Sequence, residues 1–169
     1  MKLSARVRFR WLAVMLVLGM AGTAAATDSA IDRLKSGGVL LLRHANAPGF
    51  GDPAGFRIDD CSTQRNLSEE GRQQATAIGA WLRARGISRA RVYSSQWCRC
   101  LETAELLGIG QVSPLPALNS FFQRLEDRTS NLNALRGFLS DQALQNEPLV
   151  LVTHQVTVTA LSGVFPDSG

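Results

Sequence analysis

Apolar positions recur along this chain in two rhythms, a continuous one and a helical one. Val39 to Leu42 is an unbroken apolar run after Gly37-Gly38, the pattern of a strand covered on both faces, and it ends at Arg43-His44. Ser68 is a good N-cap, Glu69 and Glu70 suit the positive end of a helix, and Ala75, Ile78 and Leu82 repeat at helical spacing up to Gly86. Arg91 to Ser95 reads as a short strand, and Trp97 to Leu107 as a helix ended by Gly108 and Gly110. Pro114 and Pro116 mark a connection, Leu132, Leu135 and Leu139 line one face of a third helix, and Pro148 precedes a strand from Leu149 to Thr153, with His154 at its end. Between the first strand and the first helix, residues 47–64 are rich in Gly, Pro and Asp without a period. A loop of that length in a compact domain tends to be functional.

Strands alternating with helices predict an α/β fold, a mostly parallel central sheet flanked by helices in three layers. Ligands of such sheets gather beyond the carboxyl ends of the strands. Both histidines of the chain, and Ser94-Ser95 leading to Arg99, fall at those ends.

The amino terminus changes how the charge is read. Lys2, Arg6, Arg8 and Arg10 precede an apolar run from Trp11 to Met20 and the small residues Ala24-Ala25-Ala26, the pattern of a cleaved Sec-type signal. Ten apolar residues extended by Ala and Gly fall short of the roughly 20 a membrane span needs, so no stable membrane insertion is expected after cleavage. Residues 1–26 are therefore set apart as a signal peptide, and the protein is expected to be periplasmic or secreted. Without those four basic residues, 14 remain against 14 acids, which removes nucleic acid as a partner although the whole chain has a pI near 9.5. The remaining 143 of 169 residues suit one domain, 27–169. In an oxidising compartment Cys61, Cys98 and Cys100 allow one disulfide and one thiol, or three buried free cysteines. Two histidines and no C-x-x-C give no structural zinc site.

Four stretches, in order, resemble the histidine phosphatase superfamily, which also contains the phosphoglycerate mutases. Leu41-Leu42-Arg43-His44-Ala45-Asn46 is similar to its Arg-His-Gly signature, and Asn66 to Ala75 to its Leu-Thr-x-x-Gly-x-x-Gln-Ala helix start. Tyr93 to Ala104 is similar to its Ser-Ser-x-x-x-Arg-Ala-x-x-Thr-Ala, and Val150 to His154 to the strand bearing its second histidine. The resemblance spans roughly residues 39–163 and implies a phosphoglycerate mutase-like fold and a phosphoric monoester hydrolase. His44 is implied as the nucleophile that becomes phosphohistidine, its other ring nitrogen donating to an acceptor such as a backbone carbonyl. Arg43 and Arg99 would hold phosphoryl oxygens through planar forks, His154 would donate to an equatorial oxygen, and Asn46 would add a neutral donor. The scheme requires no metal and no cofactor.

Several positions depart from the family pattern. Ala45 and Gln155 stand where glycine is usual. The stretch Leu115 to Phe122, which should hold a leaving-group glutamate, has no carboxylate, leaving Glu126, Asp127 or an acid of the Asp52 to Asp60 loop as candidates. Only fifteen residues follow His154, whereas relatives commonly continue into another strand; a fragment and a trimmed member both stay open. Cys100 takes the place of the small residue after the family's arginine, which implies that it packs on the sheet. Cys98, about 200° around the helix, then faces the loop and pairs with Cys61. The expected function is exported hydrolysis of a small phosphomonoester, with a phosphosugar in view from the mixture Phe50, Phe56, Arg57, Asp59 and Asp60. The alternative is a phosphate-binding module that has lost turnover.

Overall fold

The computed structural model describes residues 21–142 and 145–167. The expected leader lies outside the described residues up to position 20, and residues 21–26 enter the first helix, α1 (Ala21–Lys35). Four strands follow in chain order: β1 (Val39–Arg43), β2 (Arg91–Ser94), β3 (Val112–Pro114) and β4 (Leu149–Thr153). They form one parallel sheet in the order β1-β4-β2-β3. The further helices are α2 (Glu69–Ala84), α3 (Cys98–Leu107), α4 (Arg128–Gln142) and α5 (Gln155–Ser162).

Alternation along β4 divides the core into two. Val150 and Val152 pack with Ile31 and Leu34 of α1, Leu82 of α2 and Cys100, Ala104 and Leu107 of α3. Leu149 and Leu151 pack on the other face with Leu135, Phe138 and Leu139 of α4 and Leu161 of α5. The result is the expected three-layer α/β/α arrangement. Full coverage belongs to β4, whose five residues are all buried. β1 is the outermost strand on its side of the described sheet; Leu40 and Leu42 pack on one core and Leu41 on the other, as expected of a run covered on both faces, while Val39 at its start is half exposed. An edge strand has a neighbour on one side only, so an apolar run reports coverage by helices and not position in the sheet.

Local chemistry explains the element that most constrains the site. Ser68 caps α2, its Oγ accepting from the Gly71 N–H at 3.1 Å, and its own N–H donates to Asn46 O at 3.0 Å. A Cβ on Gly71 would stand 2.1 Å from Asn46 O, so the start of α2 lies against the chain just after β1 only because residue 71 has no side chain. Farther along, a Cβ on Gly79 would meet Leu107 O at 2.0 Å, and α2 and α3 pack there backbone to backbone.

Candidate active site

The register of the sheet brings the two histidines together. Arg43 pairs with Thr153 across β1 and β4, and the His44 N–H continues the ladder to Thr153 O at 2.9 Å. The Ser95 N–H does the same to Val152 O from β2. His44, His154 and Ser95 thus leave three adjacent strands at one carboxyl edge, and the histidine rings meet edge to face with centroids 5.5 Å apart. Arg99 reaches the same point from the first turn of α3. A pocket of about 110 Å³ opens there, lined by Arg43, His44, Asp52, Arg65, Arg99 and His154 among others.

The His44 ring has a fixed tautomer. Its Nδ1 lies 2.8 Å from Ala45 O, an acceptor only, so Nδ1 carries the proton. Arg99 Nε–H points at His44 Nε2 over 3.3 Å, which requires a lone pair there. Burial pushes the His44 pKa down to about 3; the bond to Ala45 opposes this, and the charges of Arg99, Arg65 and Arg43 add to it. Ala45 replaces the usual glycine at no conformational cost, since no described non-glycine residue has a positive φ.

His154 is fixed through a longer chain. The Gln96 N–H donates to Asn119 Oδ1 at 2.9 Å, which orients that amide, and Ser95 Oγ lies 3.2 Å from the same oxygen. Ser95 must therefore donate to Asn119, so its Oγ accepts from His154 Nε2 at 2.9 Å. Cys100 Sγ lies 3.5 Å from the same nitrogen, with Thr153 O at 3.6 Å to receive the thiol proton. The Nε2–H tautomer leaves Nδ1 without a proton. Burial, then the charges of Arg99 and its neighbours, hold His154 well below its ordinary pKa. The Cys100 thiol, fully buried, is pushed up to about 12.

Cations surround the pocket. Arg43 Nε is buried without a hydrogen-bond partner, an N–H available to an anion. Arg65, which the sequence reading passed over, donates from Nε to Gly51 O at 2.9 Å and from Nη1 to Ala47 O. Its signal was its place, directly before the Asn66-Leu67-Ser68 helix start at the end of the long loop. Burial, then the charge of Arg99, lowers the pKa of both Arg43 and Arg65.

Asn46 is not among the pocket-lining residues. Its amide donates to Ser68 Oγ at 3.3 Å and its N–H to Gln74 Oε1 at 3.0 Å, so it ties the chain after His44 to α2; this corrects its reading as a pocket donor. The carboxylates that the sequence leaves open as candidates are separated by the fold. Asp127 and Glu126 pair with Arg124 outside this pocket, Asp60 binds Ser62 and Arg57, and Asp52 alone among them lines it. Asp52 is ion-paired to Arg99 at 2.6 Å, and Trp97 Nε1 donates to it at 2.9 Å. Burial would raise its pKa, but the bonds from Arg99 and Trp97, the charge of Arg99 and the Arg65 N–H outweigh this and hold it below the ordinary carboxylate value.

The loop is fastened to α3 by the expected disulfide, Cys61–Cys98, with Cys100 a buried free thiol. Among the described residues no helix is long and apolar enough to cross a membrane.

A family model described as the histidine phosphatase superfamily (branch 1) matches residues 39–131, more than half of the chain. Among solved structures, one described as phosphohistidine phosphatase SixA from Agrobacterium tumefaciens is 22% identical at a TM-score of 0.55, covering 73% of this chain and 72% of that one. A second so described, from Nakamurella multipartitia, is 25% identical at 0.51, covering 73% and 62%. A protein histidine phosphatase SixA complexed with tungstate is 18% identical at 0.51, covering 78% and 81%. At such identities the likeness is one of fold. No curated protein matches the chain in sequence.

Proposed function

We propose that the chain, which belongs to the histidine phosphatase superfamily (branch 1), is an exported phosphatase that forms a phosphohistidine on His44. The observation that carries this is the unprotonated His44 Nε2 facing a pocket lined by three guanidinium groups, one with a buried unpaired N–H. In the first step Nε2 attacks phosphorus, the N–P bond forms, and the bond to the leaving atom breaks with its electron pair on that atom. In the second, water attacks phosphorus, the N–P bond breaks, phosphate departs, and the water proton passes to solvent or product. Arg43, Arg99 and His154 surround the phosphoryl oxygens, and Arg65 adds a fourth group from the loop. The disulfide fits an oxidising compartment and supports the export reading.

The carboxylates narrow the substrate. A carboxylate engaged as Asp52 is does not donate a proton, so the site suits leaving groups that need none. An aryl oxygen is one such group. The imidazole of a phosphohistidine is another, because it takes its proton at the remote ring nitrogen, and two relatives of the same fold are described as phosphohistidine phosphatases. An alkyl phosphosugar, the expectation from loop composition, is the harder substrate on this argument.

A panel of an aryl phosphate, phosphoimidazole and a hexose 6-phosphate tests the reading. The first two should be hydrolysed well and the third slowly; His44→Ala should hydrolyse none, and base-quenched wild-type protein should carry an acid-labile phosphoryl group. Hydrolysis of none by the wild type would favour the phosphate-binding module.

A further inference from the structure

We propose that Asp52 is a positioning residue for phosphoryl transfer, holding Arg99 so that its Nε edge, and not its parallel fork, is presented at His44; this rests on His44 as the phosphoryl acceptor. A guanidinium has five N–H groups. On Arg99 the Nη1 and Nη2 groups donate to Asp52 Oδ1 and Oδ2 at 2.6 and 3.1 Å, Nη1 also donates to Arg65 O at 3.2 Å, and Nε donates toward His44 Nε2. The bidentate face that a phosphate would otherwise take is filled by the carboxylate. An incoming phosphoryl group meets the Nε–H and the remaining Nη2–H, beside the nitrogen to which it is being transferred.

Asp52 is itself built into place. Its side chain is 4% exposed, it accepts from Trp97 Nε1 and from the Arg65 N–H at 3.2 Å, and its own N–H donates to Gln123 Oε1 at 3.3 Å. Gly51, with φ of 66°, supplies the left-handed turn that aims the residue inward. At the outer edge of this turn the Phe50 and Phe122 rings meet edge to face at 5.0 Å, tying the loop to the segment that carries Gln123. A carboxylate fixed from so many sides, 47 residues away in sequence from the arginine it binds, is an orienting group for that arginine and not a mobile acid.

Removing the charge while keeping the shape should separate binding from turnover. In Asp52→Asn the pocket gains one net positive charge, so affinity for inorganic phosphate, read by titration calorimetry on the full chain, should rise by about tenfold. The kcat for an aryl phosphate should fall by roughly ten- to a hundredfold, because Arg99 is no longer held on edge, while KM does not rise. Asp52→Glu keeps the charge but displaces the carboxylate by one methylene; it should keep wild-type phosphate affinity and lose kcat. Three outcomes would overturn the proposal: an unchanged kcat in Asp52→Asn, a joint fall of phosphate affinity, kcat and Tm as from structural damage, or a loss confined to alkyl phosphates, which would make Asp52 the proton donor. The phosphate titration needs no turnover. An inactive wild-type protein would therefore count against phosphatase chemistry, while a rise in affinity would still place Asp52 on Arg99.

Discussion

Removal of the Cys61–Cys98 bridge should lower stability by several kcal/mol and leave catalysis nearly intact. The bond closes a loop of 37 residues, for which the chain-entropy relation gives about 4 kcal/mol at 25 °C, at the top of the usual range of about 2 to 4. That contribution acts on the unfolded chain. In the folded protein the same loop is held by other bonds: Gln64 accepts from the Cys98 N–H at 3.0 Å and donates to Arg57 O and Ile58 O, while Asp52 binds Arg99 and Trp97. The Cys61→Ser/Cys98→Ser protein should therefore unfold in urea at a midpoint lower by roughly 1 to 4 M, for m-values of about 1 to 3 kcal/mol/M, with kcat for an aryl phosphate within a few-fold of wild type. Wild-type protein under reductant should behave likewise. An unchanged midpoint would refute the entropy argument. A collapse of kcat with the midpoint preserved would refute the claim that Gln64 and Asp52 hold the native loop.

Acid should weaken the fold through His44: its folded pKa of about 3 lies below the unfolded value of about 6.5, so the unfolded chain binds more protons between them, and stability present above pH 6.5 is lost as pH falls toward 3. Denaturation at pH 7.5, 6 and 5 should give falling midpoints, with a shallower fall in His44→Ala, where the likewise depressed His154 still contributes, and the acid limb of kcat/KM should lie well below 6; a limb at 6.5 would mean that the ring is not desolvated. Gly71→Ala should cost about 1 to 3 kcal/mol and also lower kcat, because the new Cβ pushes on Asn46 O two residues after His44. A Tm within a degree of wild type would show that the close approach is not a tight one.

What could be read in the sequence and what could not divide along a physical line. The apolar runs ending at His44 and His154, the Ser68 cap and the Gly108 stop are local signals, and each marks an element in the fold. β3 escaped because three residues ending in Pro114 carry no period, and its pairing with β2 is what makes it a strand. α1 and α5 were also unread; the first merges with the leader pattern, and the second begins directly at His154 without a side-chain cap. His44, Arg43, Arg99 and His154 sit at element ends, which is why the sequence could single them out, and the fold brings the four to one pocket. Asn46 was misjudged because closeness in sequence to His44 says nothing about side-chain direction. The engagement of Asp52 with Arg99 and the presence of Arg65 were hidden, since an irregular loop has no periodicity from which such distant pairs follow.

The distribution of protons around the two histidines bears on how the cycle closes. His44 has its proton on Nδ1 and a lone pair on Nε2, the state that the proposed attack on phosphorus requires. His154 enters with its proton on Nε2, directed to Ser95, so a neutral His154 has a lone pair on Nδ1 and nothing to donate from that atom. The role expected for it, donation to an equatorial oxygen, therefore requires that it first gain a proton. A phosphate monoanion can supply one on arrival, and a phosphate dianion among the three guanidinium groups would offset the part of the depression that their charges add to burial. Ser95, held by Asn119, keeps the Nε2 side as acceptor throughout, so any added proton must sit on Nδ1. On the proposed mechanism the amide at position 119, fixed by the Gln96 N–H, would thus set which nitrogen of the second histidine takes the proton.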